Sequence, residues 1–184
     1  AVTQVILTEL KDRVSLYFVP LQIHPLHALW HYATPPGMVK DAWKVSGGYL
    51  TLGWPQDTNA LEDGCITDEQ FIGLCDSIFT SRQKVFFQQL DRFREGVLAG
   101  IFDCLDRVQH MFWKHHAAAE GDYRDVVAAQ YRRCDETIGK VLERVGPDTL
   151  VIALSDHGFG SFRRGVNLNA WLHEQGLLAF KTDD

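Results

Sequence analysis

Val97-Leu98-Ala99-Gly100-Ile101-Phe102-Asp103-Cys104-Leu105-Asp106-Arg107-Val108-Gln109-His110 is the stretch that decides the fold. Val97–Phe102 is an unbroken apolar run of strand length, the pattern of a strand buried on both faces. Charged residues begin directly after it. Downstream, Asp122–Val145 repeats apolar residues every three to four positions (Val127, Tyr131, Cys134, Ile138, Val141, Val145). That spacing predicts a helix, and Gly146-Pro147 stops it. Thr149–Leu154 is a second unbroken apolar run. Strand, helix, strand in this order is a βαβ unit with parallel strands and a right-handed crossover. The expected class is therefore α/β, a mostly parallel sheet with flanking helices.

Working outward, Asn167–Gln175 reads as a short helix closed by Gly176, and Leu177–Lys181 as a further strand. Upstream, Thr67-Asp68-Glu69-Gln70 fits a capping box, with Thr67 as N-cap. Phe71, Leu74, Cys75, Ile78, Phe79, Val85, Phe86, Leu90 and Phe93 then follow at helical spacing, and Gly96 ends the element. Thr80-Ser81 and Arg82 interrupt this stripe, so a kink or break is expected there. Val5–Leu10 and Val14–Val19 flank Lys11-Asp12-Arg13 and predict an antiparallel hairpin. Between Pro20 and Gly64 prolines, glycines and three tryptophans (Trp30, Trp43, Trp54) are spread through an aromatic-rich loop segment with short helical pieces at best. The chain thus divides into residues 1–64, a hairpin and aromatic-rich loop region that could cap a site, and residues 65–184, the α/β portion. His24, His27 and His31 lie in the first part without a carboxylate to complete a ligand set, so a structural or surface role is expected.

Composition bounds the function. The chain has 184 residues, 46% apolar and 23% charged, which is enough for one real core and excludes a disordered chain. A formal charge of −6 argues against a nucleic-acid polymer or an anionic membrane as partner. No apolar run is long enough to cross a bilayer. Cys65, Cys75, Cys104 and Cys134 form no C-x-x-C pair, so reduced thiols in a cytoplasmic protein are expected. The start, Ala1-Val2-Thr3-Gln4, has neither an initiator Met nor a signal-peptide pattern and reads as a cut inside a longer chain.

In open parallel sheets, sites form at the carboxyl ends of strands. Both predicted strand ends pair carboxylate with imidazole. Asp106 and His110 are four residues apart, so on a helical turn their Cβ atoms lie roughly 5–6 Å apart on one side. An oxygen and a nitrogen can then converge on one divalent ion. Asp156 and His157 are adjacent and would oppose each other on a strand. They share an ion only if the strand has ended in a turn, for which Gly158 and Gly160 give freedom. Each pair alone matches ordinary caps and turns. Two such pairs at two strand ends point to a metal site, with satisfied structural polar groups as the competing account.

These residues carry a resemblance. Asp-Arg-x-Gln-His-x-Phe-Trp at Asp106–Trp113 and Ser-Asp-His-Gly-Phe-Gly at Ser155–Gly160 resemble the type I phosphodiesterase/nucleotide pyrophosphatase branch of the alkaline phosphatase superfamily. Within it the sequence is most similar to a group of predicted phosphohydrolases or phosphomutases. The likeness runs on through Phe162-Arg163-Arg164-Gly165-Val166-Asn167-Leu168-Asn169-x-Trp171-Leu172, and Trp54-Pro55-x-Asp57-Thr58 is similar as well. It implies an alkaline phosphatase-like core fragment holding two divalent ions, zinc with manganese as the alternative. Asp106 and His110 match ligands of one ion, Asp156 and His157 ligands of the other. The family pattern adds an early Asp ligand, a Thr or Ser nucleophile and a late His ligand, and none is matched here. Ser155 and Thr58 can be nominated as nucleophiles, but Ser155 precedes the ligand pair in the family pattern and is not its nucleophile. The resemblance therefore implies a two-metal site present in part, acting on a small phosphate mono- or diester, and a fragment inactive alone. A phosphomutase and a metal- or ligand-binding module without turnover are the alternatives. Arg107, Arg163 and Arg164 are candidate phosphate contacts, because the guanidinium fork suits phosphate; solvated surface charge is their competing role.

Overall fold

Residues 1–31, 33–51 and 53–181 are described in the computed structural model. The two apolar runs around Lys11-Asp12-Arg13 fold back as expected: β1 (Val5–Leu10) pairs antiparallel with β2 (Val14–Phe18). Strand alternation turns the paired Ile6 and Tyr17 onto the helices, and the register shifts in a bulge between Leu7 and Glu9. A 3₁₀ turn at Pro25–His27 follows, with the His24 imidazole accepting from the Leu26 backbone N–H at 3.2 Å. His24 also lies 4.8 Å, centroid to centroid, from both His27 and Trp43, an aromatic packing role. The helices are α1 (Gly37–Ser46), α2 (Thr58–Glu62), α3 (Asp68–Arg92), α4 (Cys104–Ala118), α5 (Val126–Leu142) and α6 (Leu168–Glu174).

The capping box starts α3. Gln70 N–H donates to Thr67 Oγ1 at 3.3 Å while Thr67 N–H donates to Gln70 Oε1 at 2.9 Å, satisfying two donors that a helix start leaves orphaned. From there α3 runs unbroken to Arg92, against the kink expected near Thr80–Arg82. The polar interruption is met by partners instead. Arg82 pairs with Asp103, and Arg133 of α5 donates to Thr80 Oγ1 at 2.7 Å. Two apolar clusters line α3. Phe71 and Cys75 pack with Val108 and Phe112 of α4 and Val127 of α5. Leu74, Ile78 and Phe79 pack with Val19 after the hairpin and with Cys104 at the start of α4. The first 64 residues also reach α3, through Ile6 and Tyr17 and through Gln70 Nε2 donating to the Leu7 carbonyl at 3.1 Å.

The sheet differs from expectation. Among the described residues the only sheet is β1–β2. Val97–Phe102, Thr149–Leu154 and Leu177–Lys181 form no ladder, and the mostly parallel sheet is not seen. A strand needs a neighbour to hydrogen-bond, and these runs have none among the described residues. Their apolar side chains face solvent: Val97 is 93% exposed, Ile101 82%, Leu150 83% and Leu154 83%. Only one end of the first run is packed, where Phe102 lies against Phe79 and Phe86. At Gly100 an added Cβ would sit 2.5 Å from the Phe86 ring, so a larger residue there would push this run off α3. Helix α5 is likewise covered on one side only, with Val127, Gln130 and Thr137 buried and Tyr131 half exposed. No helix among the described residues is long and apolar enough to cross a membrane.

Candidate metal centre

Helix α4 begins at Cys104, whose side chain is fully buried against α3. That anchor sets the helix phase and turns Asp106 and His110 outward together. His110 Nε2 lies 3.5 Å from Asp106 Oδ1. The second pair follows the exposed 149–154 run. Ser155 Oγ donates to the His157 carbonyl at 2.6 Å, closing the turn that the two glycines were expected to permit. Phe159 docks this turn on α4. Its ring stands at 89° to His110 with centroids 4.9 Å apart, and lies 5.1 Å from Trp113. Trp113 Nε1 also donates to Ser161 Oγ at 3.1 Å. Docked so, His157 Nε2 comes 4.0 Å from Asp106 Oδ1 and 3.6 Å from Asp156 Oδ2.

The structure therefore brings Asp106, His110 and His157 together, with Asp156 reaching the group through His157. Two atoms bound to one tetrahedral ion at about 2.0–2.2 Å lie roughly 3.4 Å apart. The 3.5 and 3.6 Å approaches match that spacing and the 4.0 Å approach is looser. The contacts are pairwise. Among the described residues no three His, Cys, Asp or Glu side chains close tightly enough to enclose an ion.

The donor chemistry fits a cation all the same. Asp106 Oδ1 is buried and has no hydrogen-bond partner, an unmet acceptor that burial makes costly. The two neighbouring imidazoles face that oxygen. His157 Nδ1 contacts the Gly158 carbonyl at 2.9 Å; a neutral ring donating there leaves the Nε2 lone pair free for a metal. That carbonyl first, then the Asp156 charge, raises the His157 pKa above its ordinary value.

Of the three arginines, Arg107 lies at the site but is committed. Its Nη1 donates to Asp106 Oδ2 at 2.5 Å, and its guanidinium carbon lies 3.3 Å from the centroid of the Trp54 ring. Arg163 and Arg164 are exposed and form no ion pair among the described residues. A cavity of about 430 Å³ lies between α1, α3 and residues 98–102, and none of the four candidate ligands lines it. Sequence reasoning missed Phe159 and Ser161 as the docking residues and Trp54 as the cover of Arg107. The one available signal was an aromatic residue set between Gly158 and Gly160, where a simple turn has no use for one.

The motifs, the mixed helical architecture with an N-terminal hairpin, and the gathered Asp/His side chains agree with one class, the phosphodiesterase/pyrophosphatase-type hydrolases. The chain belongs to the type I phosphodiesterase / nucleotide pyrophosphatase family, whose model it matches over residues 5–184. No curated protein and no solved structure matches the chain.

Proposed function

We propose that this chain contributes Asp106, His110, Asp156 and His157 as ligands to a two-ion centre, zinc or manganese, that hydrolyses small phosphate mono- or diesters. The observation that carries the reading is the buried, unpartnered Asp106 Oδ1, with His110 Nε2 at 3.5 Å and His157 Nε2 at 4.0 Å. Bound divalent ions supply Lewis acidity toward phosphoryl oxygens and lower the pKa of a nucleophile. The chain's own residues do the rest. Asp106 and His110 hold their donors on a rigid helix, while Asp156 and His157 bring theirs on a docked turn. We assign Arg163 and Arg164, exposed and close to that turn in sequence, to contact with the phosphate ester. We read the 97–102 and 149–154 runs as strands of a parallel sheet that is completed only by further strands, and residues 1–64 as a cap beside it.

The four ligands give each ion two protein donors, fewer than the three usual at a catalytic zinc. Zinc affinity in this chain is therefore expected to be weak and turnover absent without further ligands and a nucleophile. The pairwise contacts favour, as a second reading, a metal-binding module without turnover. Four unpaired cysteines support a reducing, cytoplasmic setting.

The test is a zinc titration followed by NMR of the His110 and His157 rings. Both should shift saturably in the parent chain, and Asp106→Asn should weaken the curve read at His110 at least roughly tenfold, the cost that even an outer-shell partner's loss carries. Rings that ignore zinc, or an Asn variant that binds as the parent does, would sink the metal assignment.

A further inference from the structure

We infer that Trp54 and Arg107 act as a positioning relay that holds the Asp106 carboxylate with Oδ1 turned toward the two imidazoles; the inference rests on the reading of Asp106 as a metal ligand. A free Asp carboxylate rotates and offers either oxygen. Here Arg107 Nη1 takes Oδ2 at 2.5 Å, which leaves Oδ1 to face His110 and His157. Adjacent side chains on a helix do not face each other. Arg107 must therefore curl back along α4 to reach Asp106, and something must keep it there.

That something is Trp54. The guanidinium carbon lies 3.3 Å from the indole centroid, a cation–π contact at close range. The Arg107 side chain is only 14% exposed and its Nε is buried without a partner. An unpaired buried donor is a cost, so the pose is held by its other contacts. Those contacts are the indole face and Asp106.

Trp54 is itself about half exposed, so burial does not explain its position. Its neighbours do. Pro55 is fully buried, Gln56 Nε2 donates to Asp103 Oδ1 at 2.8 Å, and Asp57 accepts from the Tyr17 hydroxyl and from Ala60 N–H at 3.0 Å. Trp54-Pro55-Gln56-Asp57 is thus a bracket bolted to the start of α4 and to the hairpin, with one ring extended over Arg107. Outer-shell partners of this kind orient a ligand and raise metal affinity without touching the metal. This assigns a use to a motif that the ligand set alone leaves without one.

The experiment is the same zinc titration, read on the His110 and His157 rings, with the thermal midpoint measured alongside. Trp54→Ala removes a half-exposed ring and leaves its anchors in place, so the fold should survive. Zinc affinity should fall roughly 2- to 30-fold, the range of a cation–π contact. Trp54→Phe, which restores an aromatic face, should recover most of the loss. Arg107→Lys keeps the charge but loses the planar fork, and should weaken zinc roughly tenfold. Parent-like affinity in both Trp54→Ala and Arg107→Lys, while Asp106→Asn loses zinc, overturns the relay and leaves the metal reading standing. If Asp106→Asn binds zinc as well as the parent, the metal reading fails and the relay with it.

Discussion

The molecule carries two Asp/His pairs on two very different supports. Asp106 and His110 ride on α4, which is packed against α3 and α5 through Val108 and Phe112. Asp156 and His157 sit on a turn after an exposed run, tied down by Phe159 and by Ser161. The difference separates two ways of placing a candidate ligand. The first pair is fixed by the fold, because moving it means breaking the core. The second is fixed by a few ring contacts and one hydrogen bond, so it can leave while the core stays intact. Local stability of this kind varies with buried contact.

The largest effect should divide the molecule along that line. Phe112 is fully buried between α3 and α4, and its ring also meets Phe71 and Tyr123. Phe112→Ala should destabilise by about 3–5 kcal/mol, the usual cost of a large cavity in a core. Phe162 is 86% exposed, and Phe162→Ala should change stability by less than about 0.5 kcal/mol. Urea unfolding of the two variants reads the contrast directly. Equal losses would show that residues beyond Leu154 share the core and that the two supports are one.

What was legible in the sequence follows the same division. The hairpin, the Thr67 capping box, the shared side of Asp106 and His110 and the short helix from Asn167 depend on residues within a few positions of each other. Side chains and backbone decide such features locally, as where Ala170 N–H donates to Asn167 Oδ1 at 3.0 Å. The parallel sheet was not legible in this sense. An apolar run records a capacity to be buried, while a ladder also needs partner strands, and Thr149–Leu154 has none among the described residues. The kink foreseen in α3 failed for a related reason, since Asp103 and Arg133 meet its polar residues from afar. At the site, the Asp106–His110 spacing could be read from a helical period. The approach of His157 depends on Phe159 meeting residues some fifty positions earlier, and no local pattern encodes that.

A smaller effect tests the weaker support by itself. Phe159→Ala removes the ring that meets His110 and Trp113, contacts worth about 0.5–1.5 kcal/mol in aromatic pairs. The unfolding midpoint should barely move, because that turn adds little to the core. The His157 ring resonances should shift toward those of a free histidine, and zinc affinity should fall by up to roughly tenfold. A Phe159→Ala chain with unchanged His157 resonances would show that the turn is held by something other than this ring.

The smallest expected effect belongs to the packed side and is read by pH. The Tyr123 hydroxyl, just before α5, donates to the Glu69 carboxylate in the first turn of α3. That bond first, then a backbone N–H and Thr67, lowers the Glu69 pKa below its ordinary value. The same bond raises Tyr123 from 10.0 to about 12. A carboxylate with a depressed folded pKa contributes stability that is present above its ordinary pKa and lost as pH falls through the folded value. A phenol with a raised folded pKa contributes stability that is full below 10.0 and declines as pH climbs toward about 12, because the unfolded chain loses that proton first. Tyr123→Phe should flatten both limbs of the curve of thermal midpoint against pH. Both groups are open to solvent, so each change should be small, and added salt should shrink it mainly on the phenol side, where the charges of Glu69, Asp68 and Asp122 contribute. An unchanged alkaline limb in Tyr123→Phe would place that titration elsewhere and remove this contact from what holds α3 to α5.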